Sequence, residues 1–271
     1  MMRTALVGRG CETVNENQRE LDRNDGTMSL RKFRPAMVIT CLILTTATLP
    51  AVRLSRAADQ DKAPPRRSLE ECLKLLKDGN VRYVTDQRRF AHLDRRRITE
   101  TATSQAPFAT ILGCSDSRAP VEHFFDAGIG DLFVVRVVGN VCSDHESGSI
   151  EYAVGHLKTP LVVVVGHTRC GAITAVVEDA DMAGKFPHLA EHIIPAYRES
   201  WKDHPGMGHD DLITETARHN VRRSIADLLK ASPDVRSRVK SGDLKVVGAV
   251  YDLKTGRVEW LDDCEEPGPS R

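Results

Sequence analysis

The chain has 271 residues, a length that suits one large α/β domain or two small ones. Lysine plus arginine and aspartate plus glutamate both number 38, so the formal net charge is zero, and aromatics are only 5% of the residues. Neither the basic footprint nor the stacking surface of a nucleic-acid-binding protein is present. The longest basic run, Arg95-Arg96-Arg97, reads as a solvated face.

Residues 1–27 are polar, without apolar periodicity, and read as a dispensable extension. Met28 then opens a different pattern: a basic cluster of Arg31, Lys32 and Arg34, an apolar stretch over 36–52 interrupted by threonines and Pro50, and small residues Ser55 and Ala57 before Ala58. That is the layout of a secretory signal peptide over 28–57, with cleavage expected near Ala57/Ala58 and export to a periplasmic or similar space. The alternative is an uncleaved membrane anchor formed by 36–52, although a spanning helix needs about 20 apolar residues. Without 1–57 the chain keeps 29 basic and 33 acidic residues, a mildly acidic domain. Residues 58–67, with Pro64-Pro65, have linker composition.

The domain itself is expected over 68–264, with 265–271 as a tail. Ser68 and Glu71 read as a capping box, Leu69, Cys72, Leu73 and Leu76 recur at helical spacing, and Gly79 stands where a C-cap glycine would sit. The stretch 87–103 is charged and reads as helix plus loop. Four short apolar runs follow, over 108–113, 132–138, 161–166 and 244–251; valine-rich runs of this length read as strands buried on both faces, hence a parallel sheet. Helical patterns at 149–157, 172–182 and 211–230 lie between them. Alternation of this kind predicts a single α/β domain with a mostly parallel central sheet flanked by helices. After the Lys254-Thr255-Gly256 turn, 258–261 adds a possible antiparallel edge strand.

Two strand ends hold the chemistry. The first run ends in Gly113-Cys114-Ser115-Asp116-Ser117-Arg118 and the third in Gly166-His167-Thr168-Arg169-Cys170-Gly171. Ligands gather outside the carboxyl ends of parallel strands, so both motifs fall on one edge. Two cysteines and a histidine fill three corners of a zinc tetrahedron and leave the fourth open, the mark of a catalytic rather than a structural zinc. Of the remaining cysteines, Cys11 and Cys41 lie in the removable segment, and Cys72, Cys142 and Cys264 could form at most one bridge among themselves.

These motifs resemble the two zinc motifs of the β-class carbonic anhydrases. Residues 130–136, Gly139-Asn140 and the Glu151-to-Val154 segment also match that family's pattern in order and spacing, and the similarity extends from about Ser68 to Leu261. The resemblance implies a single Zn2+ per chain on Cys114, His167 and Cys170, with Asp116 as a fourth ligand in a closed state only. It implies an Asp116–Arg118 catalytic dyad and a substrate pocket of Gln105, Phe133, Val138, Tyr152 and Gly171, part of it supplied by a neighbouring subunit. It implies reversible hydration of carbon dioxide to bicarbonate in a homodimer or homotetramer, with no nucleic-acid partner and membrane contact only through an uncleaved N-terminal segment. Gln105 points to the plant-like subclass, and the chain looks like an exported bacterial member. Ile111 stands where the other subclass carries a tryptophan of a regulatory bicarbonate site. The chemistry also stands without the name, because zinc lowers the pKa of bound water to about 7. Two thiolates cancel the zinc charge, which Arg118, acting through Asp116, would offset. Activity should be low where Asp116 ligates zinc and should rise with pH. Two rival readings remain: a hydrolase of carbon disulfide or carbonyl sulfide on the same fold, and a non-catalytic zinc-binding partner of an anion transporter.

Overall fold

A computed structural model describes residues 67–178 and 182–261. The extension, the signal segment, nearly all of the linker, Cys11, Cys41, Cys264 and the tail lie outside the described residues. Helix α1 spans Leu69–Val84 and begins with the expected capping box: the Glu71 N–H donates to Ser68 Oγ at 3.2 Å and the Ser68 N–H to Glu71 Oε2 at 2.7 Å. The helix does not end at Gly79. That glycine lies inside it and touches a neighbouring backbone: a Cβ there would stand 1.9 Å from the Phe125 carbonyl oxygen. Close approach of two chain segments, not termination, explains its lack of a side chain.

Next to Gly79, the buried Asn80 side chain ties three segments together. Its Nδ2 donates to the carbonyls of Phe124 (3.1 Å) and Gly256 (2.9 Å), and its Oδ1 accepts from the Val258 N–H (2.9 Å). Asn80→Ala would leave these backbone groups without partners, so it is expected to lower unfolding stability by about 2–4 kcal/mol. Urea denaturation would check this as a fall in midpoint at unchanged slope.

Helix α2 is Arg95–Thr101, and the sheet then begins with β1, Ala109–Cys114. Helix α3 (Val121–Phe124), β2 (Leu132–Val137), helix α4 (Asp144–Tyr152) and β3 (Leu161–His167) follow. Then come helices α5 (Gly171–Glu178), α6 (Met182–Lys185), α7 (Pro187–Asp203), α8 (His209–Ala231) and α9 (Pro233–Ser241). Strands β4 (Lys245–Tyr251) and β5 (Val258–Leu261) complete the sheet. Its order is β2-β1-β3-β4-β5, parallel except for the β4–β5 pair. The expected single α/β architecture with an antiparallel edge strand is therefore observed.

Strand alternation divides the core in two. Leu112, Val162, Val164, Val246 and Val250 face Val221, Ile225 and Leu228 of α8. Ile111, Val163, Val165, Ala249 and Tyr251 face Cys72 and Leu76 of α1 together with Phe124 and Phe125. Both faces of β1 and β3 are fully covered, as their apolar runs predict. The β2 run differs: this edge strand is only half-buried along its length. No described helix is long and apolar enough to cross a membrane.

Candidate metal centre

β1 and β3 are parallel neighbours, with Gly113 beside Val165, so Cys114 and His167 emerge together at the carboxyl edge. After His167 the chain turns through Arg169, whose φ of 52° lies in the left-handed region, and this turn places Cys170 at the start of α5. Gly166 lets α8 close over the turn: a Cβ there would meet Val221 Cγ2 at 2.8 Å.

The three ligand atoms of Cys114, His167 and Cys170 lie within 4.8 Å of one another, and all three residues are buried. The two sulfurs are 4.0 Å apart. Two thiolates about 2.3 Å from one tetrahedral zinc would stand about 3.8 Å apart, close to that separation. His167 Nδ1 lies 3.0 Å from the Thr168 carbonyl and donates to it, which leaves Nε2 with its lone pair. Nε2 is buried and has no hydrogen-bond partner in the protein, the condition of an atom that awaits an ion. The donor set and the orphaned nitrogen both fit zinc.

The surrounding backbone favours the thiolate form. The Gly139 N–H donates to Cys114 Sγ at 3.3 Å. The Cys170 thiol, followed by His167 and nearby backbone N–H groups, holds the Cys114 thiol well below the usual range. Cys170 is pushed up by the same shared proton and by burial, although the Ile173 and Ala172 N–H groups at the start of α5 work in the opposite direction. A divalent ion replaces that shared proton with a stronger common partner.

Asp116 stands next to the trio, its Oδ2 3.8 Å from His167 Nε2. Arg118 holds both carboxylate oxygens: Nε donates to Oδ1 at 2.9 Å and Nη2 to Oδ2 at 2.7 Å, while the Arg118 N–H donates to Oδ1 at 2.9 Å. Hydrogen bonding from Arg118 brings the Asp116 carboxyl down to about 2. Arg118 Nη2 also donates to the Arg169 carbonyl at 3.2 Å, which joins the two motif loops.

The other expected site residues separate into two groups. Val138, 48% exposed, precedes the glycine that donates to Cys114, and Gly171 opens α5 with free space above its Cα. Both lie at the metal edge. Phe133 pairs with Thr110 near the start of β2, about 13 Å along the strand from Val137, which pairs with Cys114. Tyr152 packs against Phe133, ring centroids 6.1 Å apart, and is half exposed. Gln105 is exposed in the loop that precedes β1, at the opposite end of that strand from Cys114, about 17 Å of strand away. The chain does not bring these three to its own metal edge.

Three supporting residues went unread in the sequence. Arg136 donates from Nε to the Cys114 carbonyl (2.9 Å) and from Nη2 to the Asp116 carbonyl (2.7 Å), bracing the first motif loop. A lone arginine in the apolar run Leu132–Val137 was the signal, since such a charge needs partners. Asn220 Nδ2 donates to the Gly139 carbonyl at 2.7 Å, and Thr168 sets the His167 tautomer; neither had a distinguishing pattern. Cys142 belongs to the core beside Leu112 and Ile150, where burial pushes its thiol up to about 12, and the four described cysteines are all free thiols.

The sequence profile of the family described as carbonic anhydrase matches residues 109–258. Carbonic anhydrase 2 of Mycobacterium tuberculosis is 36% identical over 193 residues, covering 70% of this chain and 91% of that protein. The carbonic anhydrase of Mycolicibacterium smegmatis is 37% identical over 191 residues, with 69% and 90% covered. Among solved structures, the β-carbonic anhydrase CcaA aligns with a TM-score of 0.58 at 26% identity, covering 72% of this chain and 93% of that one. A Coccomyxa β-carbonic anhydrase in complex with acetazolamide aligns at 0.56 and 28%, with 72% and 86% covered. One of two tetrameric β-carbonic anhydrases of Sordaria macrospora aligns at 0.54 and 26%, with 71% and 98% covered.

Proposed function

This chain belongs to the β-class carbonic anhydrases and catalyses the reversible hydration of carbon dioxide, and from that premise we propose how its own residues divide the work. The observation that carries the proposal is the buried Cys114–His167–Cys170 trio with a pinned carboxylate beside it. Zinc held by the trio supplies the Lewis acidity that makes water a nucleophile near neutral pH. Cys114 and Cys170 would hold the zinc as thiolates, and His167 would hold it through Nε2, in the tautomer fixed by Thr168. Asp116 stays ionised and accepts a hydrogen bond from the attacking water at Oδ2, which aims a water lone pair at the carbon of CO2. A carboxyl held down to about 2 is too weak a base to keep that proton, so Asp116 orients while bulk buffer carries the proton away. Arg118 is a positioning residue: by holding both oxygens it keeps Asp116 from turning to the metal as a fourth ligand.

Stopped-flow hydration by the zinc-loaded protein tests this reading; fast turnover that disappears on chelation and returns with zinc is expected. No turnover with one zinc bound per chain would overturn it. Arg118→Ala is expected to lower the rate about 10- to 100-fold and to free Asp116 to occupy the fourth corner. X-ray absorption would register that change as an added oxygen ligand at unchanged zinc content.

We further propose that the active form is a homodimer or a larger assembly built from it. The location of Gln105, Phe133 and Tyr152 at the far end of β1 and β2 supports this, because those residues could serve only a neighbouring chain's metal edge. With Ile111 in place of a tryptophan, the chain reads as plant-like and without bicarbonate inhibition. The basic and apolar pattern over 28–57 supports export of the catalytic domain.

A further inference from the structure

A second group of ligating side chains lies on the hairpin formed by α7 and α8, remote from the catalytic trio in sequence and on other elements. His204 follows the last residue of α7, and Glu215 and His219 stand one turn apart on α8, at i and i+4. Their ligand atoms all lie within 4.8 Å of one another. His219 Nε2 is 3.6 Å from Glu215 Oε1 and 3.9 Å from Asp203 Oδ2. These separations are too long for hydrogen bonds. They are near the spacing of about 3.3–3.6 Å between nitrogen and oxygen ligands around one tetrahedral zinc.

The electrostatics agree. Glu199 Oε2 stands 3.7 Å from His219 Nδ1, so three carboxylates surround this histidine. Two arginines stand nearby: Arg223 Nη1 lies 3.9 Å from Glu199 Oε1, and Arg218 is held by Glu259 through two hydrogen bonds (3.1 and 2.8 Å) and by Glu215 Oε2 at 2.9 Å. That last bond directs the other Glu215 oxygen toward His219. Imidazole and carboxylate donors without sulfur suit zinc, cobalt or nickel rather than a soft monovalent ion.

We infer that His204, Glu215 and His219, with Asp203 beside them, form a second binding site for a divalent transition-metal ion that fastens α7 to α8. The site differs in kind from the catalytic one: it has no thiolate, it lies at the surface, and it touches no catalytic residue. Its effect is structural, since α8 carries Asn220, next to His219 in sequence, whose side chain holds Gly139.

The test is a Co2+ titration at pH 8 of holoenzyme loaded with one zinc per chain, enough for the thiolate site alone, and freed of excess zinc. Expected is one further Co2+ per chain, with visible d–d bands, no thiolate-to-metal charge transfer, and a raised melting temperature. His219→Ala should weaken this binding by more than about tenfold, as should His204→Ala, a surface change that leaves the fold intact. Both variants should retain carbon dioxide hydration. No Co2+ uptake in the millimolar range, uptake unchanged in both variants, or uptake that produces the charge-transfer band would each overturn the inference.

Discussion

Asp116→Asn is expected to lower kcat for carbon dioxide hydration by about 10²- to 10⁴-fold, with zinc content close to that of the parent and a melting temperature lowered by loss of the charged contact with Arg118. The asparagine keeps the size of the side chain and removes the charge that orients water, so a transition-state interaction is lost while the ligand trio is untouched. The pH profile makes the prediction sharper. A carboxyl lowered to about 2 from its ordinary value of 3.8 is ionised in the folded protein at every pH above about 2, and its contribution to stability, full above 3.8, is lost as pH falls from there through about 2. Asp116 therefore does not titrate between about pH 4 and 9. The inflection of the rate in that range should survive in Asp116→Asn at reduced height. Loss of the inflection would identify Asp116 as the titrating group and refute its role as a permanently charged acceptor.

The second large effect is on stability. Gly79→Ala is expected to cost more than about 3 kcal/mol, beyond the usual penalty for overpacking. The added Cβ would stand 1.9 Å from a backbone carbonyl oxygen, which cannot rotate away as a flexible side chain could. Helix α1 would have to lift from Phe125, disturbing the Asn80 bridges one residue later. For a domain of this size the melting temperature should fall by about 6–12 °C. Alanine is the better helix former, so an unchanged or higher melting temperature would mean that the two segments separate readily in solution.

Gly79 also shows where the sequence ceased to be legible. A glycine after an amphipathic run has two physical uses, termination and close approach, and only the position of Phe125, 46 residues away, decides between them. The strands were readable because β1 and β3 are buried on both faces, which leaves continuous apolar runs. Helix α7 was not: Leu189, Ile193, Ile194 and Tyr197 do recur at helical spacing, but Pro195 falls within that stripe and reads as a helix breaker. At the site, the trio was legible because its chemistry demands rare residue types at strand ends. Arg136, Asn220 and Thr168 act through carbonyl and amide contacts that many residues could make, and those depend on the fold.

The metal ligands are also a fastening between distant parts of the chain. Cys114 and Cys170 are 56 positions apart, one ending a strand and the other three residues beyond the end of its neighbour. An ion that joins them closes a loop as a disulfide would. By the same chain-entropy reasoning, that restriction of the unfolded ensemble amounts to about 4 kcal/mol. Unlike a disulfide, this link needs no oxidant and is reversed by a chelator. Zinc supply thus sets how long the polypeptide persists against unfolding and proteolysis, apart from whether it turns over substrate.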